Sequence, residues 1–231
     1  MIDNMKVAIL YSGGKDSTMA LHHALKHEWE IKALIAVKPK DTSAYLYHYA
    51  TVELTKLSSQ ALNIPVVYLE TDKIGPEEEA KELEKVLQEI EVDALLLGGI
   101  GLQQTQIRSV ENVAKKYNIK VLVPHKDMNH YELIKQSLKA GFDIKITQVA
   151  AEGLGPEWLG RKLDFQSLEE LKKLSDKYGF HIGGEGGSYD SFVCDGPIFN
   201  KKIEFKDSEK VWDSKTSSGY LEVKNAVLVS K

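Results

Sequence analysis

Apolar positions in the first half of the chain fall into two alternating rhythms. Short solid runs (Val7 to Tyr11, Ile31 to Val37, Val66 to Leu69, Ala94 to Leu97 and Val121 to Val123) have the length and continuity of strands buried on both faces. Between them the spacing is helical. Met19, Leu21, Ala24 and Leu25 predict a helix over 16–27, a second helix is expected over about 48–62, and a third near 104–117. Pro76 opens another, whose Leu83, Val86, Leu87 and Ile90 form an i, i+3, i+4, i+7 stripe. Its Glu77-Glu78-Glu79 run suits a positive helix end and reads as a solvated face. Strand and helix in strict alternation predict an α/β fold, a doubly wound parallel five-stranded sheet.

Pro124 marks a change of rhythm. Helical segments near 131–140 and 168–178 flank a strand over 144–149, and the tail alternates like half-buried antiparallel strands at 201–205, 220–223 and 227–229. The expected organisation is therefore a first domain over 1–124 and a smaller α+β domain over 125–231. The second half also holds Gly183-Gly184-Glu185-Gly186-Gly187-Ser188-Tyr189-Asp190, too rich in glycine for a helix or a strand interior and so a shaped loop.

Composition narrows the class. The 231 residues are 42% hydrophobic and 28% charged, which excludes disorder. The chain has no run of about 18 apolar residues, and Met1 to Lys6 lacks a signal-peptide core, so a cytoplasmic protein without membrane contact is expected. A net charge of −4 disfavours nucleic acid as partner, the local pair Lys201-Lys202 aside. Cys194 is the one thiol, so neither an intramolecular disulfide nor a paired-thiol site can form. Its setting, Ser191-Phe192-Val193-Cys194, reads as a strand edge with a buried structural thiol, and any nitrogen used in a reaction would be free ammonia.

Residues 12–17 carry the candidate chemistry: Ser12-Gly13-Gly14-Lys15-Asp16-Ser17, set between the first strand and the first helix. Two glycines let main-chain N–H groups approach a ligand while the helix aims its positive end at the same point. Lys15 adds a charge, Ser12 and Ser17 add hydroxyls, and Asp16 adds a carboxylate that could hold magnesium or cap the helix. The spacing is neither that of a Walker A loop nor Gly-x-Gly-x-x-Gly. An ordinary glycine turn capped by Asp16 or Ser17 is the plain alternative. Two more loops are expected at the same sheet edge, one after Val37 and one at Gly98-Gly99-Ile100-Gly101, where a purine could lie between them. Close helix–strand packing would equally explain Gly98 and Gly99.

Residues 12–17 resemble the PP-loop of ATP pyrophosphatases. Further along, Leu46-Tyr47-His48, Ala61 to Pro65, Glu157-Trp158-Leu159-Gly160-Arg161, Gly184 to Gly187 and Phe192 to Phe199 occur in an order that resembles the diphthine–ammonia ligase family over nearly the whole chain. The resemblance implies a HUP-like nucleotide-binding fold. It also implies ATP-dependent amidation, with ammonium, of the diphthine carboxylate on translation elongation factor two, through an acyl-adenylate with release of AMP and pyrophosphate. ATP and magnesium are the implied cofactors.

Under that resemblance Lys15 and Asp16 act in catalysis with Glu185 and Asp190. Ser12 to Ser17, Val37, Gly98 and Gly99 bind the nucleotide, and His48, Arg108, Trp158, Arg161 and Asp195 line the acceptor side. Trp158 and Arg161 read equally as a packed tryptophan and a surface arginine, and His48 as a helix-capping residue. The chain departs from the family where Ser188-Tyr189-Asp190-Ser191 replaces Glu-[Tyr/Phe]-Glu-Thr, where Arg108 is the sole basic residue of 104–109, and where Pro124 to Asn129 replaces Pro-x-Trp-Gly-x-Asp. A relative adenylating another carboxylate or a tRNA base, and a non-catalytic ATP-binding module, remain alternatives, and a homodimer is left open.

Overall fold

A computed structural model of the chain describes residues 4–40, 51–99 and 104–231. It opens with β1 (Lys6–Leu10), α1 (Lys15–Lys26), β2 (Glu30–Pro39), α2 (Thr55–Leu62), β3 (Val66–Thr71), α3 (Pro76–Lys81), α4 (Glu84–Leu87), β4 (Ala94–Leu97), α5 (Gln104–Lys115) and β5 (Lys120–Leu122). The five strands form one parallel sheet in the order β3-β2-β1-β4-β5. The central strands are apolar on both faces because helices cover both faces, and Val7, Ala8, Ile9 and all of β4 are buried. The order reverses beside β1, so the loop after β1 sits at the switch point where such sheets bind ligands.

Three local expectations change. β2 runs two residues past Val37, to Pro39, because Lys38 and Pro39 continue the pairing with Glu70 and Thr71. The segment after Pro76 breaks into two short helices rather than one. Its acidic run is not all solvated: Glu79 is fully buried, and its Oε1 accepts the Gly75 N–H at 2.9 Å, satisfying a donor just ahead of the helix. The helix expected from residue 48 is described from a short 3-10 turn at Val52–Leu54 onward.

The second half contributes α6 (His130–Lys139), β6 (Asp143–Val149), β7 (Lys162–Leu163), α7 (Phe165–Tyr178), β8 (Tyr189–Asp195), β9 (Lys202–Asp213) and β10 (Ser218–Val229). β6 is the hub of this antiparallel sheet and pairs with β7, β8 and β10, while β9 and β10 form a long hairpin. α7 starts on a capping box: Asp164 accepts the Ser167 N–H at 2.8 Å, and Ser167 Oγ accepts the Asp164 N–H at 2.7 Å. One apolar cluster joins the halves, with Val7, Ile9 and Leu21 from the first packed in it with Phe142, Ile144, Phe192 and Cys194 from the second. None of the described helices is long and apolar enough to cross a membrane.

Candidate active site

The loop after β1 is held from two sides. Within it, the Gly14 N–H donates to Ser12 Oγ at 3.3 Å, and Ser17 Oγ donates to the Gly14 carbonyl at 3.1 Å. Gly14 caps α1 with extended backbone and no side-chain hydrogen bond, so no side chain caps the positive helix end, whose first turn carries Asp16. The outer grip comes from β8. The Val193 N–H donates to the Gly13 carbonyl at 2.8 Å, and Ser191 Oγ accepts the Lys15 N–H at 3.3 Å. Gly13 has φ +80°, and a Cβ there would sit 2.4 Å from the Phe192 ring, so both backbone shape and the β8 side chain demand glycine. Asp16 and Lys15 therefore stand where the two sheets meet.

Lys15 is 5% exposed, which is rare for a lysine without partners. Its Nζ pairs with Asp16 Oδ2 at 2.9 Å, donates to the Gly183 carbonyl at 2.5 Å and lies 5.0 Å from the centre of the Tyr189 ring. Burial pushes its pKa down, but the charges of Asp16, Tyr189 and Asp190 outweigh burial, and the net shift is upward. The lysine is thus a fixed cation. Tyr189 is itself pushed up to about 12 by burial and donates its hydroxyl to the Ile182 carbonyl at 2.8 Å.

Glu185 enters from the glycine loop with two histidines. His130, the first residue of α6, places Nε2 2.7 Å from Glu185 Oε1, and its Nδ1 lies 3.1 Å from His181 Nε2. The Glu185 contact is short but out of line for a hydrogen bond, and Oε1 is buried without a hydrogen-bond partner. Burial raises the Glu185 pKa, with Asp16 adding to the rise, and burial lowers that of His130 to about 4. A Cβ on Gly183 would lie 2.8 Å from the His130 ring, so the bare glycine is what lets α6 approach this loop.

Asp16 and Asp190 both lie near enough to raise the Lys15 pKa, and Lys15 and Asp16 in turn act on Glu185, so the four groups share one electrostatic neighbourhood. Gly98, another sequence candidate, also adjoins this loop. Gly98 packs on α1: a Cβ would meet Ser17 N at 2.3 Å and Asp16 C at 2.5 Å, which favours close packing over an opening for a base. Val37 is buried in the apolar layer inside β2, and Gly99 is the second residue past the end of β4. Trp158 is 2% exposed and belongs to the core, with the Arg161 guanidinium 4.4 Å above its ring and paired to Glu170 at 2.6 Å, so it is a packed side chain and not an open wall. Asp195 pairs with Lys231 at 2.7 Å. Arg108 lines a cavity of about 530 Å³ with His23, Trp29, Glu111 and Lys126, a wall that includes none of residues 12–17. His48 lies outside the described residues. Sequence reasoning missed Ser191, Gly183, His130 and His181. The i, i+4 spacing of His181 and Glu185 was the available signal, but His130 is 51 positions away from His181 and meets it through the fold alone.

The comparisons agree with this architecture. Residues 5–121 match the diphthamide synthase N-terminal domain, and residues 129–229 match the diphthamide synthase C-terminal domain. The chain is 32% identical to diphthine–ammonia ligase of Homo sapiens and 33% identical to that of Rattus norvegicus, in each case over 229 residues that cover 90% of this chain and 85% of the relative. With diphthine–ammonia ligase of Schizosaccharomyces pombe it shares 29% identity over 245 residues, 96% of this chain and 40% of that protein. Two domain matches that take up almost the whole length, on a parallel sheet joined to an antiparallel one, mean that this chain belongs to the diphthamide synthase family of enzymes.

Proposed function

We propose that the chain amidates the diphthine carboxylate of translation elongation factor two, consuming ATP and ammonium and releasing AMP and pyrophosphate. The observation that carries this reading is the buried Lys15, fixed by Asp16 and the Gly183 carbonyl at an uncapped helix end and beside the loop that bears Glu185. A carboxylate resists ammonia, and joining it to AMP supplies the leaving group. In the first step the acceptor carboxylate oxygen attacks the α-phosphorus and the bond to pyrophosphate breaks. Lys15 and the N–H groups at the start of α1 take up the charge that develops on the departing phosphates. In the second, ammonia attacks the acyl carbon and AMP leaves with its electron pair. Glu185, whose pKa burial has raised, accepts the proton that ammonium must lose, and the second proton, shed by the nitrogen as the amide forms, leaves with the AMP phosphate or to water.

Magnesium fits at Asp16, because a partly exposed carboxylate at the phosphate end of α1 is the oxygen donor this ion takes. When bound it would supply further neutralisation of the phosphates. Of the family departures, Ser191 keeps the hydroxyl that the Lys15 N–H uses, and Ser188 donates to the Glu185 carbonyl at 2.9 Å, closing the glycine loop. The test is to incubate the protein with labelled ATP, ammonium and either diphthine-bearing elongation factor or bulk tRNA. AMP formation that depends on the elongation factor supports the proposal; dependence on tRNA, or no turnover with either, overturns it.

A further inference from the structure

We propose that His130, His181 and Glu185 form a binding site for one first-row divalent transition metal of the zinc class. These three are the group among the described residues that brings one potential ligand atom each within 4.8 Å of the others. His130 is fixed by its place at the start of α6, where Asn129 Oδ1 accepts the Glu132 N–H at 3.2 Å. His181 and Glu185 are fixed by a loop closed through the Gly184 N–H to the His181 carbonyl at 2.9 Å. The contacts now made run through different atoms of the same residues, 2.7 Å from His130 Nε2 to Glu185 Oε1, 3.1 Å from His130 Nδ1 to His181 Nε2 and 4.0 Å from His181 Nδ1 to Glu185 Oε2, while one ligand atom from each residue lies within 4.8 Å of the others, against the roughly 3.3 Å between neighbouring ligands around a tetrahedral ion with bonds of about 2.0–2.2 Å. Convergence on one ion therefore requires the side chains to close by up to about 1.5 Å.

The donor types select the metal. Two imidazoles and one carboxylate suit zinc, cobalt, nickel or copper, whereas magnesium and calcium prefer oxygen alone. Glu185 Oε1, buried and without a hydrogen-bond partner, is an anionic oxygen that an ion would satisfy. The nearby ammonium of Lys15 is paired with Asp16 at 2.9 Å, which limits its repulsion of a cation. Ligation has two local costs: the His130 Nδ1 contact to His181 Nε2 at 3.1 Å must open to free Nε2, and the Gly183 N–H now points at His181 Nδ1 from 3.1 Å, so ligation through Nε2 requires Nδ1 to carry a proton and that contact to open as well. Three protein ligands leave one position free, and with the His181 side chain 43% exposed that position opens toward water or an exchangeable ligand; an ion held here ties up the Glu185 carboxylate, so the metal-bound state and the proton transfer assigned to Glu185 above exclude each other.

The experiment uses the untagged full chain, stripped with chelator, without ATP, titrated with Co²⁺ and then Zn²⁺. Expected are one equivalent of cobalt per chain with the visible d–d band of a tetrahedral site, its displacement by zinc, and no displacement by millimolar magnesium. His181→Ala and Glu185→Gln should each weaken binding by about tenfold or more while circular dichroism stays that of the wild type. The absence of a cobalt band, or unchanged affinity in both folded variants, overturns the site and identifies the cluster as a hydrogen-bonded chain. Since neither nucleotide nor acceptor is present, failure here is separate from failure of the ligase reading, which AMP release decides.

Discussion

Replacing Gly98 with alanine tests whether the placement of α1 on β4 sets the phosphate loop. The added Cβ would lie 2.3 Å from Ser17 N, 2.4 Å from Ser17 Cα and 2.5 Å from Asp16 C, all backbone atoms that no rotamer can move aside. Ordinary contact begins near 3.4 Å, so the start of α1 must shift by about 1 Å. Overpacking of this kind costs about 1–3 kcal/mol, and the backbone location puts the expected loss near the top of that range. For a chain of this size about 3 kcal/mol lowers the melting temperature by roughly 6–12 °C. The same shift carries Lys15 and Asp16, and a misplacement of about 1 Å at reacting groups lowers turnover by about 10²-fold. Gly141→Ala is the comparator: its φ of +89° strains an alanine, but an added Cβ meets nothing within 4 Å. It should lose about 1–2 kcal/mol of stability with pyrophosphate release unchanged. Scanning calorimetry and AMP release on both variants decide the matter. A Gly98→Ala protein with wild-type melting and turnover would refute the packing argument.

Lys15→Met keeps the volume and removes the charge at the centre of the site, and should lower AMP release by about 10²–10³-fold in a radiolabel assay; activity close to wild type would remove the lysine from the mechanism. Ser191→Ala deletes the acceptor for the Lys15 N–H and should cost about 1 kcal/mol by denaturant titration, while Ser191→Thr, which keeps a hydroxyl, should not. Stability should also fall in acid through the histidines near the end of α1. Burial, then the charges of His27, His125 and His22, lower His23 to about 4, so between about 6.5 and about 4 the unfolded chain binds the proton that the folded one refuses. Melting temperature should therefore drop over that window and drop less in His23→Phe; parallel curves would contradict it. Cys194, fully buried with its thiol pushed up to about 12, should react with an alkylating reagent after denaturation and resist it in the native protein, which mass spectrometry can follow.

The parallel sheet was legible because its strands are buried on both faces and so are continuous apolar runs, as in β4 with all four residues buried. The loop at 12–17 was legible because its chemistry is local in sequence. What escaped detection depends on contacts between distant positions. Glu79 belongs to an acidic run in the sequence, yet it is buried against the Gly75 N–H. Trp158 and Arg161 are neighbours of the site in motif order only, and packing claims both. Gly98 is explained by the backbone of Asp16 and Ser17, some eighty residues earlier in the chain. The histidine pair with Glu185 needs the start of α6 and the glycine loop to meet, and no periodicity announces that encounter.

The bonds from β8 to the loop after β1 also carry a consequence for biosynthesis. The Gly13 carbonyl and the Lys15 N–H find their partners at Val193 and Ser191, about 180 positions later in the chain. As the polypeptide leaves the ribosome, the first five strands can emerge and pair long before those partners exist. The nascent sheet thus waits with an unfinished loop, and Lys15 lacks the Gly183 carbonyl until most of the chain has been made. Such long-range closure slows folding. It also makes the grip on phosphate one of the last features to form, so a chain interrupted before β8 holds a sheet without its finished site.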